Sequence, residues 1–408
     1  MRRFYPDERR TRDVEPSPCR RLGVNLFRRQ WRGAKAGMIN DFLDFIEGKP
    51  KPGFSFHPFA EKKRTEKEKY IFVFDADMNP FPDFVEPLVA IMEDRPKLAF
   101  VQTPQYYSNF ELNRVARAAG LQQVVFYEYI CEGKSIGDAM FCCGTNVIFR
   151  REALMDVGGF DESSVTEDFA TSLKFHLRVW SSAYFNRVCA FGLGPEDLGG
   201  YFKQQFRWAL GTVGLFRTIL QEFFRHPFRL TIAKWWEYFL SGTWYFVGWV
   251  FCIMAYCPIL FLYLNVPSFF ARPEVYFFFF LPYFVLSMAI FLATLHLRKY
   301  RVKDVFQGMV LNAICFPVFM KASTLAMVGV RGTFAVTPKG QSRALPLMAL
   351  WPQLITAVLS FGAIFWGGLR LYYEREPFSA ILVNMSWCLY HFLLFSTVLY
   401  FNFPEERG

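Results

Sequence analysis

The stretch YIFVFDADMNPFPDFVEPLVAIM, residues 70–92, decides the fold class predicted for this protein. An apolar run leads directly into Asp75-Ala76-Asp77, an Asn-Pro pair follows, and apolar residues at helical spacing come next. This order is typical of a buried strand, a turn and an amphipathic helix. The same alternation recurs on both sides and favours an α/β domain with a largely parallel sheet. The predicted strands are residues 24–27, 70–74 and 98–102, and the predicted helices are residues 36–46, 84–94 and 112–130.

Apolar residues are concentrated in the second half of the chain. Hydrophobic residues make up 53% of the 408 residues, including 50 Phe, and long apolar runs begin after about Trp235. Charged residues crowd the part before it. The composition therefore predicts a soluble domain followed by a membrane domain. Four segments are long and apolar enough to cross a bilayer: residues 238–264, 275–295, 345–369 and 378–401.

The domain organisation follows from these shifts in composition. We expect a disordered basic N-terminus over residues 1–20, an α/β domain over residues 21–198, amphipathic interfacial helices over residues 199–237, a transmembrane domain over residues 238–402 and a tail over residues 403–408. Residues 305–328 are apolar but interrupted by polar side chains, so we place them as a helix in the membrane interface, with a broken span as the alternative. With four spans, the basic loops 298–303 and 330–343 fall on one side, which is the cytosolic side by the positive-inside rule. The α/β domain would then lie in the cytosol.

Charge and cysteine content disfavour several function classes. The net charge of +10 is compatible with nucleic-acid binding, but many Lys and Arg residues flank apolar spans, where membrane topology explains them, so no nucleic-acid partner is predicted. The nine Cys form no CxxC pair, so reduced thiols are expected rather than a zinc site or a disulfide framework. No apolar stretch opens the chain, so no signal peptide is expected. No ionisable residue is expected deep within the spans, which disfavours a transporter or receptor.

Asp75 and Asp77 are the first candidate site residues. In an open α/β sheet, ligands bind beyond the carboxyl ends of the strands, and both carboxylates lie at such an end. Spaced by one residue, they can share one divalent cation that keeps positions for substrate phosphates. The cation would stabilise the diphosphate of an activated sugar as a leaving group. The plain alternative is a turn with solvated carboxylates, since a short Asp-x-Asp sequence often occurs by chance.

Two further motifs lie ahead of the membrane spans. Thr166-Glu167-Asp168 directly precedes a predicted helix, where N-capping is the plain explanation. The functional alternative is that one carboxylate acts as general base for an acceptor hydroxyl. The motif QQFRW, residues 204–208, lies on an interfacial helix, where a snorkelling Arg beside a Trp anchor would suffice. Functionally, Arg207 could bind a diphosphate in bidentate fashion and Trp208 could offer a platform for a sugar ring.

In this order and ahead of the spans, FDAD, TED and QxxRW resemble the motifs of the family 2 processive glycosyltransferases, and among these of the bacterial cellulose synthase catalytic subunits. Other segments extend the resemblance, which covers roughly residues 20–345: RGAKAGMIN at 32–40, FVQTPQYYSN at 100–109, FCCGTNVIFRREAL at 141–154 and FAVTPKG at 334–340. The resemblance implies a GT-A-like (Rossmann-like) glycosyltransferase domain followed by an α-helical membrane domain. It also implies a UDP-sugar donor, with UDP-glucose favoured, and a growing glycan as acceptor.

Roles for individual residues on the donor side are implied by the resemblance. Asp75 and Asp77 would hold the nucleotide diphosphate, chiefly through Mg²⁺ or Mn²⁺ on Asp77, and Lys35 would lie near the nucleotide. A loop over residues 331–340 would close over the nucleotide sugar and act as a gate. Its family-matching residues are Phe334, Val336, Thr337 and Lys339.

On the acceptor side, the resemblance implies that Asp168 is the catalytic base. The diphosphate and the acceptor end of the glycan would be bound by Gln204, Arg207 and Trp208. The remaining acceptor-side residues would be Cys143, Gly144, Thr166 and Glu167. Displacement by a hydroxyl approaching opposite UDP implies inversion, so an α-linked donor would yield a β-linked polymer.

Two departures from the family pattern qualify these expectations. The family's catalytic domain opens with a strand that ends in an Asp pair contacting the uridine, whereas here Asp7 is the only nearby candidate and no strand precedes it. An N-terminally truncated chain is therefore expected. No segment after the last span resembles the cyclic-di-GMP-binding β-barrel, so control by that nucleotide is not expected.

Three functions stay open at this point. The leading hypothesis is a synthase in the plasma (inner) membrane that passes a β-linked glycan between its spans, with membrane lipid and accessory synthase subunits as further partners. The second is a non-processive transferase acting on a lipid or short acceptor, against which QxxRW and the gating loop weigh. The third is an inactive scaffold that assembles with a complete synthase, which the missing Asp pair favours.

Overall fold

The computed structural model describes residues 17–30, 34–60, 68–267, 273–330, 332, 343–373 and 378–403. The strands, in chain order, are β1 (Leu26–Arg29), β2 (Phe54–His57), β3 (Tyr70–Val73), β4 (Asn79–Pro80), β5 (Leu98–Gln102), β6 (Tyr106–Tyr107), β7 (Val147–Arg150), β8 (Ser181–Tyr184) and β9 (Ala190–Gly192). The first helices are α1 (Ser17–Arg21), α2 (Ala34–Ile46), α3 (Val85–Asp94), α4 (Arg114–Val125), α5 (Cys131–Ile136), α6 (Arg151–Asp156) and α7 (Glu167–Leu177), with a π-helical turn, Phe126–Ile130, between α4 and α5. The later helices are α8 (Leu198–Arg225), α9 (Ile232–Thr243), α10 (Val247–Leu264), α11 (Pro273–Leu297), α12 (Val302–Ile314), α13 (Phe316–Met327), α14 (Trp351–Tyr373) and α15 (Phe378–Asn402).

The central sheet is mixed, with the strand order β3-β7-β5-β8. β7 runs antiparallel to β3 and to β5, whereas β5 and β8 are parallel, so the prediction of a largely parallel sheet is wrong for β7. The reason is visible in the register, where Val147 pairs with both Val73 and Gln102. The chain leaves β5 at Gln102 and re-enters the sheet opposite it, so β7 has to run backwards. The end of β3, the end of β5 and the start of β7 therefore lie together at one end of the sheet, where these strands terminate.

Side chains of the central sheet alternate between two apolar layers, as the period of a strand requires. One layer packs on α3 and contains Phe84, Leu88, Met92, Val101, Ile148 and Ala183. The other packs on α2 and α7 and contains Ile39, Leu43, Phe100, Val147, Phe149 and Phe175. Because helices cover both faces of the sheet, a ligand can approach it at the end where β3 and β5 terminate and β7 begins.

Two small sheets lie beside the central one. β1 pairs with β2 in an antiparallel sheet of its own, so the strand predicted near residues 24–27 lies outside the central sheet. The other has the order β4-β9-β6. Residues 17–20, expected to be disordered, belong to α1, because Cys19 packs with Val24 and Leu26. Residues 1–16 and 404–408 lie outside the described residues.

Four helical segments in the described part of the chain are long and apolar enough to cross a membrane: Ile232–Leu264, Phe277–Leu297, Leu347–Tyr373 and Phe378–Asn402. They overlap the four predicted spans, and the bent pair Val302–Ala313 and Phe316–Met327 passes the same test when taken together. The first of the four segments contains two helices, α9 and α10, joined by a 3-10 turn, Trp244–Phe246. The apolar helix α10 therefore begins only at Val247, whereas the span was predicted to begin at residue 238.

The single interfacial helix predicted over residues 305–328 is two helices in the structure. α12 and α13 are bent by 47° at a break around Cys315. Pro317 follows the break in the first turn of α13, where the N–H that proline lacks would have no partner within the helix. In the interior of one continuous helix, Pro317 would remove a backbone hydrogen bond and crowd the preceding turn.

His391 corrects one expectation about the spans. It lies near the middle of α15 and is buried, so an ionisable residue does occur deep within a candidate span. Its ring stacks between Trp387 and Phe395, at centroid distances of 5.8 and 6.0 Å, which accommodates a flat side chain in an apolar helix. All nine Cys are free, as expected.

The α/β domain and the helical region share one apolar core. Buried residues of α4 pack in one cluster with residues of α8, α12, α13 and α15. Gln122 on α4 donates to Asn312 on α12 at 2.9 Å and accepts from the Tyr201 hydroxyl on α8 at 2.6 Å. Gly308 permits this approach, because an added Cβ would lie 2.6 Å from the backbone nitrogen of Gln122.

Gly308→Ala is expected to lower the free energy of unfolding by about 1–3 kcal/mol, because α12 would have to move away from the backbone of α4. Thermal unfolding in detergent micelles measures the change. Gly368→Ala on α14 is the matched control, since an added Cβ there meets nothing within 4 Å. Equal unfolding temperatures for the two variants would contradict the close packing of α4 on α12.

Candidate active site

The Lys35 ammonium lies at the centre of the candidate site. It donates to Asp75 Oδ1 at 2.8 Å and to the carbonyl oxygen of Gly144 at 2.5 Å. Burial lowers the pKa of Lys35, but the carboxylates of Asp75, Glu167 and Asp168 outweigh it and hold the pKa above its ordinary value. Residues predicted from three separate motifs thus lie around the cation of a fourth, Lys35.

Gly144 is required at its position for two reasons. Its φ of +86° lies in the left-handed region that favours glycine. In addition, an added Cβ would lie 2.8 Å from Asp168 Oδ2 and 3.2 Å from Lys35 Nζ. Any side chain here would therefore separate the carboxylate of Asp168 from the ammonium of Lys35.

Two glutamines that the motif analysis did not single out as site residues hold this loop. The buried Gln102 side chain accepts from the backbone N–H of Cys143 at 2.8 Å and donates to the carbonyl of Thr145 at 2.7 Å. Gln105 donates to the carbonyl of Cys143, also at 2.8 Å. Thr145 in turn accepts from the backbone N–H of Asp75 at 2.9 Å. The QTPQ sequence was the available signal, and its polar residues position the loop that carries Cys143 and Gly144.

Asp168 lies in the first turn of α7. Burial, and after it the charge of Glu167, raises the pKa of Asp168 to about 7, while Lys35 opposes the shift. Burial also raises the pKa of Glu167, against the charges of Lys35 and Arg207. Ser172, another residue missed in the sequence, donates to the carbonyl of Asp168 at 2.7 Å and accepts from the N–H of Cys142 at 2.8 Å. A carboxyl group with this pKa can exchange a proton near neutral pH.

Thr166 does not use its side chain to cap α7, so the N-capping explanation is wrong for it. Its side chain packs against α8 instead. An added Cβ at Gly211 would lie 2.5 Å from Thr166 Cγ2, which shows how closely α8 approaches this segment. The glycine therefore brings the TED segment against the helix that carries QxxRW.

The three QxxRW residues have different surroundings on α8. Arg207 is close enough to Glu167 to lower the pKa of that carboxyl group. Gln204 lies beside the Tyr107 hydroxyl, and its amide oxygen is buried without a hydrogen-bond partner among the described residues. Trp208 is half-buried next to Arg207, and its stacking role stays a prediction.

Phe334, Val336, Thr337 and Lys339 of the predicted gate lie outside the described residues.

The oxygen atoms of Asp75 and Asp77 suit a divalent cation. The Asp75 side chain is 42% exposed and Asp77 is half-buried, so both are accessible from solvent. The described residues contain no group of three or more His, Cys, Asp or Glu side chains that could hold a metal ion. The protein would therefore supply two carboxylates, and phosphate oxygens and water would complete the coordination. This arrangement fits Mg²⁺ or Mn²⁺ bound with a diphosphate.

A cavity of about 1010 Å³ opens beside the TED segment. Val165, directly before Thr166, and Arg207 belong to its wall, as does Gly332 of the predicted gating loop. Most of the remaining wall comes from α8, α10, α13 and the start of α14. Its aromatic members are Phe202, Phe206, Tyr256, Phe316 and Trp351, and its other cations are Lys203 and Lys321.

Asp168→Asn is expected to raise the free energy of unfolding at neutral and alkaline pH. The folded pKa of Asp168, about 7, exceeds its ordinary value of 3.8, so the wild-type protein loses stability as the pH rises between these values. The variant cannot ionise, so its advantage of roughly 1–4 kcal/mol grows over that range and levels off above it.

Thermal unfolding of the ligand-free protein on both sides of this range measures the advantage. Asp94→Asn, at an exposed position, is the control for the loss of a carboxylate as such. An Asp168→Asn advantage that does not grow with pH would mean that Asp168 is not a buried carboxyl group with a raised pKa.

Comparison with known proteins agrees with this geometry. The family described as Glycosyl transferase family group 2 matches residues 70–295. The UDP-forming cellulose synthase catalytic subunit of Pseudomonas fluorescens (strain SBW25) is 27% identical over 400 residues, 93% of this chain and 49% of that protein. The UDP-forming cellulose synthase catalytic subunit of Komagataeibacter sucrofermentans is 28% identical over 340 residues, 80% of this chain and 44% of that protein. The chain spans about half the length of these relatives.

Among solved structures, the mannosyltransferase PcManGT from Pyrobaculum calidifontis, in complex with GDP-Man and Mn²⁺, aligns with a TM-score of 0.47 and 15% identity, covering 79% of this chain and 77% of that one. A TM-score this low supports no inference about this chain. The family match, in contrast, covers more than half of the 408 residues and includes Asp75, Asp77, Asp168 and the QxxRW residues. This protein belongs to glycosyl transferase family group 2.

Proposed function

We propose that this protein is a membrane-embedded, inverting glycosyltransferase that transfers a sugar from a UDP-sugar to a growing β-linked glycan and passes the polymer through the membrane. The observation that carries the proposal is the position of Asp168, a buried carboxyl group next to Lys35 and three residues after Val165, which belongs to the wall of the 1010 Å³ cavity. UDP-glucose is the favoured donor, because the relatives are named as UDP-forming cellulose synthases.

Asp168 would act as general base on the acceptor. It would take the proton from an acceptor hydroxyl as that oxygen forms its bond to the anomeric carbon of the donor sugar. The bond from the anomeric carbon to the diphosphate oxygen breaks, and UDP leaves with the bonding electrons. Attack opposite the leaving group inverts the anomeric centre. A pKa of about 7 suits this task, because it lies near the pH at which the base operates.

Positive charge near the leaving group would come from the chain and from a metal ion. Lys35 and Arg207 would attract the diphosphate, Arg207 with a planar group suited to two phosphate oxygens. Asp75 and Asp77 would hold Mg²⁺ or Mn²⁺, which, when bound, neutralises charge on the departing diphosphate. Gln204, Trp208, Cys143, Gly144, Thr166 and Glu167 would form the acceptor side, and Thr337 and Lys339 the gate over the donor.

The cavity supports a path for the polymer. It adjoins the TED segment through Val165 and continues among α8, α10, α13 and the first turn of α14. Of these helices, α10 and α14 belong to candidate spans. Aromatic rings in its wall could stack on the CH faces of sugars. We propose that the α/β domain lies in the cytosol and the spans in the plasma (inner) membrane, with accessory synthase subunits as further partners.

UDP release by the purified protein in lipid nanodiscs tests the proposal. We expect turnover with UDP-glucose in the presence of Mn²⁺ or Mg²⁺, its loss with EDTA, and a β-linked polymer as product. Because Asp168 must be ionised, kcat/KM should rise with pH through about 7. Asp168→Asn should lower kcat about 100- to 10,000-fold.

The outcomes separate the competing functions. Single transfers to a short acceptor would indicate a non-processive transferase. A folded protein without turnover on any donor, whose Asp168→Asn variant still supports a complete synthase, would indicate a scaffold. Full activity in Asp168→Asn would exclude Asp168 as the base.

Gly211→Ala is expected to lower kcat about tenfold with little change in the KM for the donor, because a new methyl group would push Thr166 and the start of α7 away from α8. UDP release measures both constants. Gly214→Ala on the same helix is the matched control, since an added Cβ there meets nothing within 4 Å. Equal kcat values for the two variants would contradict a role for this contact in placing Asp168.

A further inference from the structure

A row of large apolar side chains lies exposed between α8 and α10. Phe228 is 99% exposed, Ile232 89% and Trp236 60%. We name this row the α9 ridge; its members are Phe224, Phe228, Ile232, Trp236, Leu240 and Trp244. Along α9 the exposed residues recur every fourth position, so they form one continuous face. Contiguous apolar surface of this kind marks an interaction surface.

The occupant that fits the α9 ridge is a bilayer surface with anionic headgroups. Exposed Arg217, Arg225 and Arg229 accompany the ridge, and basic residues beside an apolar helix face bind anionic membrane surfaces. The ridge also runs directly into the exposed apolar face of α10, which includes Trp249, Val250 and Ile253. The membrane that surrounds α10 therefore continues onto α9.

α9 lies at the membrane surface rather than in the hydrocarbon core. α10 alone has 18 residues, and at about 1.5 Å per residue it spans about 27 Å, close to the thickness of the core. α9 also carries charged residues that pair with the α/β domain. Lys234 contacts Asp138 at 2.6 Å, and Glu237 pairs with Lys134. These ion pairs place one side of α9 against protein and outside lipid.

The face of α9 opposite the ridge contacts the helix that carries Asp168. The Tyr238 hydroxyl lies 2.7 Å from Nδ1 of His176 on α7, and Nε2 of His176 lies 2.9 Å from the Ser182 hydroxyl. Burial lowers the pKa of His176 to about 3, so the ring is neutral and can donate with one nitrogen and accept with the other. The ring of Phe169, the residue directly after Asp168, stacks on Tyr238 at 5.7 Å.

The C-terminal end of α7 contacts the turn between α8 and α9. Arg229, in the turn between α8 and α9, donates through Nε to the carbonyl of Leu177, the last residue of α7, at 3.0 Å. Both ends of the helix that carries Asp168 therefore rest on the segment whose other face bears the α9 ridge.

We infer that an anionic bilayer surface bound to the α9 ridge positions Asp168 through Tyr238. With lipid on one face of α9 and α7 on the other, order imposed on α9 by the membrane passes to α7. Tyr238 and His176 are positioning residues, since they act on the acceptor only through α7. The effect on turnover rests on the proposed function, whereas the lipid-dependent order of α7 does not.

The test compares the full chain in nanodiscs of phosphatidylcholine with nanodiscs in which about one third of the lipid is phosphatidylglycerol. Hydrogen exchange of residues 228–243 and 167–177 reports the order of α9 and of α7. UDP release reports kcat and the KM for the donor. With phosphatidylglycerol we expect slower exchange in both segments and a kcat about fivefold higher, with an unchanged KM.

Two variants and their matched controls separate binding from coupling. The double variant Ile232→Gln/Trp236→Gln should lose the lipid response in both segments, whereas Leu112→Gln, at an exposed apolar position elsewhere, should keep it. Tyr238→Phe should keep the protection of α9 but lose that of α7, together with the gain in kcat. Tyr372→Phe, at an exposed tyrosine on α14, should behave as wild type.

The outcomes distinguish failure of this inference from failure of the proposed function. The inference would be overturned, even in an active enzyme, if the hydrogen-exchange rate of α7 changed neither with lipid composition nor with Tyr238→Phe. Absence of turnover with every donor, combined with lipid-dependent exchange in α7, would remove the proposed function and leave the coupling in place.

Discussion

The candidate site depends on the ammonium group of Lys35. Asp75, Glu167 and Asp168 come from two distant segments, and their carboxylates meet in a partly buried space where like charges oppose one another. Lys35 donates to Asp75 and to the carbonyl of Gly144, and its charge offsets part of the cost of burying the acids. A single cation therefore allows the predicted donor side and the predicted base to lie together. It also leaves the pKa of Asp168 near neutrality, where a carboxyl group can accept a proton.

Close approach of the surrounding segments depends on residues that leave space. Because Gly144 has no Cβ, the Asp168 carboxylate and the Lys35 ammonium can lie close together beside it. Gly211 lets α8 contact the TED segment for the same reason. Gly308 does this for α12 and α4. Around these contacts, Gln102 and Ser172 satisfy the backbone of the loop that carries Gly144. The glycines thus permit these close contacts, and the buried hydrogen bonds hold the contacting segments in place.

The α/β domain and the helical region share one packed core. α4 of the α/β domain packs in the same core as α12, α13 and α15, and on the other side Arg298, after α11, pairs with Glu128 at 3.0 Å and Glu132 at 2.7 Å. The cavity beside the TED segment lies between these regions, with walls from α8, α10 and α13.

The sequence alone determined the strand before Asp75, the apolar helices and the order of the two regions, because periodicity and hydropathy are local properties of the chain. Its short motifs also named Lys35, Asp75, Gly144 and Asp168, which the structure brings together. It did not determine the direction of β7, the bend between α12 and α13 or the burial of His391. Nor did it reveal that Thr166 packs on Gly211 or that Tyr238 contacts His176. Only the tertiary structure decided these features, since each depends on a contact whose partner, strand register or neighbouring helix is set by how distant segments pack.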